Sequence, residues 1–293
     1  MGIMNKTSTP KKDKRPLELV VISDVHLGTR ACHAKELLQY LKSIKPSILV
    51  LNGDIIDIWQ FHKNYWPKSH MKVVKYIIGL ATKGTKVYYV TGNHDELIRK
   101  FAGMKLGLLK IVNKLTIKIG NKRAWIFHGD VFDVIIQYSK WLAKLGAFGY
   151  DSLVRINVFV NKIRKFFGRD KVSISKKIKE NVKSALKYIF KFEETAASMA
   201  AKKGFGYIIC GHIHYPEMKT INTNYGEVKY LNSGDWVENL SALEYNKGKW
   251  DIYYYKKEHY IQNDVNKDED KAIEMVDMNN KEVFNAMLKE FNV

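Results

Sequence analysis

The chain alternates short apolar runs with stretches whose apolar residues recur at helical spacing. Leu17 to Ser23 is an apolar run and reads as a first strand. Ala34 to Ser43 carries Leu37, Leu38 and Leu41 at helical spacing and predicts a helix. Ile48 to Leu51 predicts a second, buried strand, Met71 to Ala81 a second helix, and Val87 to Val90 a third strand. Strands alternating with helices in this way predict a largely parallel α/β layer.

After Val90 the pattern changes. Leu115 to Ile119 and Arg123 to Phe127 flank Gly120-Asn121, a hairpin turn. Tyr207 to Cys210 reads as another strand. Glu217 to Ile221 and Glu227 to Leu231 bracket a polar turn with Asn224 and Gly226. Leu240 to Tyr245 and Trp250 to Tyr255 bracket Asn246-Lys247-Gly248. The second half is therefore strand and hairpin, with antiparallel character. Two sheets packed face to face, with helices outside, is the simplest architecture. Around this domain (17–260) the sequence predicts a disordered basic tail (1–16), a helical insertion at about 136–203, and a charged tail (261–293) with one helix from Lys281 to Phe291.

The hydrophobic fraction of 46% fits a globular domain, and no apolar run approaches the length of a membrane span. The polar, basic N-terminus does not read as a secretory signal. Two cysteines, Cys32 and Cys210, without a disulfide framework, predict a reducing, cytoplasmic setting. The formal net charge of +19 points to nucleic acid, anionic lipid or an anionic substrate, against a merely lysine-rich surface. The charge is local: Tyr138 to Phe192 holds fourteen Lys and Arg against three Asp and Glu. That concentration favours a functional patch.

The candidate chemistry sits where apolar runs stop. Asp24-Val25-His26, Gly53-Asp54, Gly92-Asn93-His94-Asp95, His128-Gly129-Asp130 and Gly211-His212-Ile213-His214 each follow a predicted strand. Sites in α/β folds collect at the carboxyl ends of strands. On an extended strand end, Asp24 and His26 would share a face, as would His212 and His214. Any one of these fragments reads as an ordinary turn; five in order do not. Asp, His and Asn donors without a thiolate suit Mn²⁺, Fe²⁺ or Zn²⁺ rather than Ca²⁺, and there are enough for two ions.

In these five blocks, over roughly Leu17 to Tyr255, the chain resembles the calcineurin-like metallophosphoesterases. The resemblance implies a four-layer α/β/β/α sandwich of two mixed sheets, with the helical insertion as a cap. It implies that Asp24, His26, Asp54 and His214 bind one divalent metal ion, and that Asp54, Asn93, His128 and His212 bind a second. Two such ions clamp phosphate oxygens and acidify a water. His94 is then the catalytic, non-ligand histidine that steadies developing charge or protonates the leaving oxygen. Asn93, His94 and Asp130 are the expected substrate contacts.

Within that family the details are similar to the UDP-2,3-diacylglucosamine diphosphatases of lipid A synthesis. These are Ser23-Asp24-Val25-His26-Leu27-Gly28, Asn52-Gly53-Asp54-Ile55-Ile56-Asp57-Ile58-Trp59, His128-Gly129-Asp130, and Asn232-Ser233-Gly234-Asp235-Trp236 with Ser241. The insertion occupies the place of that group's lipid-binding cap. Trp141, Leu142, Leu145 and Phe148, then Leu153, Ile156, Val160, Ile163 and Phe167, recur at helical spacing among Lys162, Arg164, Lys165, Arg169 and Lys171. A basic helix with an apolar face fits an acyl chain or an anionic membrane surface, and a helical hairpin packed on the core is the plainer alternative. The expected substrate is phosphorylated and lipid-linked, met in the cytoplasm or at the inner face of the membrane, with no obligate protein partner. One residue departs: that group carries Arg where this chain has His94. Alternatives are another phosphomonoester, phosphodiester or nucleotide substrate, and a non-catalytic basic module binding lipid or nucleic acid.

Overall fold

A computed structural model of the chain describes residues 13–57, 65–130, 189, 192–260 and 272–274. In chain order its elements are β1 (Arg15–Ile22), α1 (Ala34–Ser43), β2 (Ile44–Asn52), β3 (Tyr65–Pro67), α2 (Lys68–Thr82), β4 (Lys86–Val90), α3 (Glu96–Arg99), β5 (Lys105–Leu106), β6 (Leu109–Val112), β7 (Leu115–Ile119) and β8 (Lys122–Ile126). There follow α4 (192–202), β9 (Tyr207–Cys210), β10 (Glu217–Thr223), β11 (Gly226–Asn232), β12 (Ser241–Asn246), β13 (Lys249–Tyr254) and β14 (Ala272–Glu274). Of the expected insertion, all but residues 189 and 192–203 lies outside the described residues. So do residues 1–12 of the expected tail and the helix expected from Lys281 to Phe291.

The first sheet has the order β13-β12-β1-β2-β4-β6-β5, and the second β10-β11-β9-β8-β7. In the first, β1, β2, β4 and β6 run parallel, and β12 closes onto β1 antiparallel. In the second, β8, β9 and β11 run parallel, flanked by the antiparallel β7 and β10. Both sheets are thus mixed. The short β14 pairs with β3.

The strand period of two explains why two sheets need three cores. Along β1, Leu19 and Val21 enter the space between the sheets, whereas Val20 and Ile22 face α1 and α2. Along β9, Ile209 faces the other sheet, whereas Ile208 and Cys210 face α4. Leu231 and Tyr230 of β11 divide in the same way. α1 presents Leu37 and Leu41 to the first sheet, and α2 presents Val73, Ile77 and Leu80. α4 presents Phe192, Ala196, Ala197 and Ala200 to the second. The layers are therefore α/β/β/α. Truncating a fully buried side chain such as Leu49 to alanine would cost about 2–5 kcal/mol.

The order of the expected strands and helices survives, with shifted ends. β1 begins at Arg15, because its backbone already pairs with Ile44 there. β2 begins at Ile44 rather than Ile48, directly after α1. The strands β5 and β6 and the packed helix α4 were not expected as such.

Candidate active site

The parallel strands of both sheets deliver their carboxyl ends to one place. β1 ends before Asp24, β2 before Asp54, β4 before Asn93 and His94, β8 before His128, and β9 before His212. The expected extended strand ends at Asp24-His26 and His212-His214 are not what forms. Asp24, His26, Asp54, His212 and His214 all adopt positive φ, between 52° and 67°. Only two other non-glycine residues among those described do so, Leu240 and Lys247. Left-handed backbone is costly for such residues and persists where the surroundings over-determine it.

Those surroundings are backbone hydrogen bonds between the motifs. The amides of Val25 and His26 both donate to the Asp54 carbonyl, and the Asp24 amide donates to that of Gly53. The Gly211 amide donates to the His128 carbonyl, joining two motifs of the second sheet. Across the sheets, the His212 amide donates to Asp24 Oδ2 at 2.9 Å. The His94 amide donates to Asp54 Oδ1, also at 2.9 Å. Each carboxylate thus has one oxygen tied to the backbone of another motif, which leaves the other oxygen to face the centre.

Around those second oxygens the imidazoles converge. His214 Nε2 lies 3.1 Å from Asp24 Oδ1. His128 Nε2 lies 3.3 Å from Asp54 Oδ2, and His212 Nδ1 lies 3.2 Å from His128 Nε2. His94 Nε2 and His26 Nε2 stand 3.9 and 4.0 Å from the same Asp54 oxygen. Three sets of donors follow, in each of which one ligand atom per residue lies within 4.8 Å of the others: Asp24, His26 and His214; Asp54, His128 and His212; and His26, Asp54 and His94. Asp54 belongs to two of the three.

The donor set fits divalent cations. His26 Nε2 and Asn93 Oδ1 are buried and lack a hydrogen-bond partner, while the buried Asp24 Oδ1 and Asp54 Oδ2 face the imidazoles of His214 and His128. Leaving buried polar atoms unpaired costs about 1–3 kcal/mol each, and the close approach of carboxylate and imidazole donors in the three sets is what a metal centre requires. Burial alone would raise the pKa of Asp24, but His214 and His128 hold it well below the carboxylate range. Burial would raise Asp54 too, and His128 does the same for it. Burial would lower His128, but Asp54 and Asp24 push it up to about 10. The pocket is therefore a set of mutually dependent charges, anionic at its two carboxylates.

Residues beyond the expected metal ligands also shape the centre. Asp57 lies 3.2 Å from His94 Nδ1 and 3.5 Å from His26 Nδ1, and so turns both Nε2 atoms toward Asp54. Asp95 is fully buried and accepts from the amides of Asp54, Ile56 and Gly92 and from the Tyr89 hydroxyl. It holds the β2 and β4 loops together. The Asn52 carbonyl lies 2.8 Å from His128 Nδ1, which frees Nε2 for the centre. Asp235 stands 3.9 Å from His214 Nδ1 and caps the turn at residues 237–239. Asp130 is ion-paired with Arg99, which also donates to the Gly92 carbonyl. A Cβ on Gly92 would stand 2.3 Å from Asp54 Oδ1, so only glycine lets that carboxylate sit against the β4 loop.

A model of the calcineurin-like phosphoesterase family matches residues 17–216, the span that carries all five motifs. The chain belongs to that family. The phosphoesterase is 24% identical over 235 residues to a UDP-2,3-diacylglucosamine hydrolase from Aliivibrio fischeri (strain MJ11), covering 78% of this chain and 95% of that protein. It is 29% identical over 249 residues to a UDP-2,3-diacylglucosamine hydrolase from Wigglesworthia glossinidia brevipalpis, covering 79% and 92%. It is also 24% identical over 254 residues to the DNA double-strand break repair protein Mre11 of Methanococcus maripaludis, covering 81% of this chain and 62% of that one. The phosphoesterase is a metal-dependent hydrolase, with candidate ligand clusters where the motifs meet.

Proposed function

We propose that the protein cleaves the pyrophosphate of UDP-2,3-diacylglucosamine, giving 2,3-diacylglucosamine 1-phosphate and UMP. The observation that carries this reading is the reach of the similarity. The relatives bearing that activity in their names are matched over 92–95% of their own length, well beyond the metal motifs. In this reading Asp24, His26, Asp54 and His214 hold one divalent ion, and Asp54, Asn93, His128 and His212 hold the other, with Mn²⁺ the first candidate. Bound there, the two ions polarise a phosphoryl oxygen and acidify a water.

The remaining steps belong to side chains. Asp54 keeps its Oδ2 turned inward because the His94 amide occupies Oδ1. His94 stands at the mouth of the centre with 27% of its side chain exposed, and Asp57 holds its Nδ1. From there its Nε2 can donate a proton to the leaving phosphate oxygen. The basic segment from Tyr138 to Phe192 would meet the anionic inner face of the membrane, where a diacylated substrate resides.

The test is product analysis. Metal-loaded protein is incubated with UDP-2,3-diacylglucosamine in detergent, with a soluble phosphodiester and with single-stranded DNA. UMP release from the lipid is the expected result; hydrolysis of the diester alone would refute the substrate. The similarity to Mre11 favours one second reading, a phosphodiesterase acting on nucleic acid, and cleavage of the DNA would select it.

A further inference from the structure

Between α3 and β7 the chain builds a small hairpin on the edge of the first sheet. β5 and β6 pair antiparallel, and β6 joins the sheet through β4. The hairpin is well made. The Gly103 amide donates to the Ile111 carbonyl, the Ile111 amide to the Met104 carbonyl, and the Val87 amide to the Leu108 carbonyl. Ile111 is buried in the core beneath it. The segment from the turn after α3 to the hairpin tip nevertheless places four large apolar side chains in water: Phe101 (52% exposed), Met104 (39%), Leu106 (60%) and Leu108 (41%). They are four of the nine exposed large hydrophobics among the described residues, gathered within eight positions. A cluster of that kind marks an interaction surface rather than scattered surface residues.

The charge around the tip says what the surface meets. Residues 97–129 contain eight Lys and Arg and no Asp or Glu. Lys105 and Lys110 face each other directly across the hairpin, an arrangement that like-charge repulsion disfavours. An anionic partner relieves it. A second copy of this chain would not, since each carries +19 and the same acid-free hairpin. Single-stranded nucleic acid would supply the anions but would want aromatic platforms, and Phe101 is the one ring among the four. Exposed apolar side chains interspersed with lysines along one short segment match the boundary between acyl chains and anionic headgroups.

We propose that the β5–β6 hairpin, residues 101–110, is a membrane-docking wedge for an anionic bilayer. Phe101, Met104, Leu106 and Leu108 enter the acyl boundary, and Lys100, Lys105 and Lys110 lie on the headgroups. The hairpin follows His94 and Asp95 by only a few residues. Its root is braced to the centre by Arg99, which binds the Gly92 carbonyl and Asp130. Docking would therefore hold the mouth of the active site beside the bilayer. The wedge does not depend on which phosphoester is cleaved.

The test uses the full chain and vesicles of phosphatidylcholine with or without phosphatidylglycerol. Wild-type protein should float with the anionic vesicles. Phe101→Ser/Leu106→Ser should partition roughly tenfold or more weakly for each side chain lost, while hydrolysing a soluble phosphodiester at the wild-type rate. A dye on Leu106→Cys, in a Cys32→Ser background, should shift to the blue on vesicle binding and be quenched by brominated lipid. This readout separates the hairpin from basic segments elsewhere. Unchanged flotation of the double variant, or a dye that stays in water, would overturn the proposal. So would a wild-type dimer that the double variant abolishes. The substrate reading fails separately, by the absence of UMP in detergent micelles where no bilayer is present.

Discussion

The two halves of the centre are built from similar residues but sealed to different degrees. Asp54, His128 and His212 are enclosed: the side chains of Asp54 and His128 have no exposure, and His212 is 2% exposed. The Asp24, His26 and His214 half opens outward, with 29% of the His214 side chain exposed and the similarly open His94 beside it. The enclosed half is stitched from both sheets, through His128 on Asn52 and Asp54. The open half is where a phosphoester can enter. The difference suits one half to anchoring and the other to exchange with substrate, and in the proposed ligand sets Asp54 serves both.

The largest expected effect therefore belongs to Asp54. Asp54→Asn should lose metal from both halves and lower turnover by about 10³-fold or more, read by elemental analysis and kinetics on one sample. Loss of metal from one half alone would mean that the carboxylate is not shared. Next comes His94→Ala, which should keep its metal while kcat falls about 10²–10⁴-fold. Metal lost in proportion to activity would instead make His94 a ligand, through the set it forms with His26 and Asp54. Asp57→Asn should be milder, about 10–100-fold in activity, because it loosens the aim of two rings without removing either.

Comparing His128→Ala with His214→Ala sharpens the contrast between the halves. Each should cost metal, but only the enclosed His128 leaves a buried cavity and should lower the metal-free melting temperature by several degrees. Equal effects on stability would erase the distinction.

A further expected effect is on pH dependence. His128 has a folded pKa near 10 beside Asp54 and Asp24, above an unfolded value of about 6.5. The stabilisation it provides is full below about pH 6.5 and is lost as pH rises through about 10. The metal-free protein should melt at lower temperature as pH goes from 7 to 10. The metal-loaded protein should not follow, since binding already requires the neutral ring. A metal-free melting temperature that rises over this window would show His128 to be neutral in the pocket.

Much of this was legible in the chain because periodicity and ligand chemistry are local. α1 was readable over Ala34–Ser43 from Leu37 and Leu41, and the motifs announced themselves at strand ends. The left-handed backbone at Asp24, His26, Asp54, His212 and His214 was not, since nothing in an Asp or a His signals positive φ. It comes from hydrogen bonds between loops far apart in sequence. The roles of Asp57 and Asp95 are not local either: the β1–β2 pairing brings His26 to Asp57, and the β2–β4 pairing brings His94 to Asp57 and the Asp54 and Ile56 amides to Asp95. β5 and β6 are too short, and too broken by Gly103 and Gly107, to show a period. α4 did carry a stripe of Phe192, Ala196, Ala197 and Ala200, but small residues at the end of a long basic segment read as part of an insertion.

The most direct measurement is anomalous diffraction from crystals of the full chain grown with Mn²⁺. The expected map has two peaks, one among Asp54, Asn93, His128 and His212 and one among Asp24, His26, Asp54 and His214, with Asp54 Oδ2 between them. A single peak, or a second peak held by His94 in place of His214, would contradict a centre shared through Asp54 with His94 left free for chemistry.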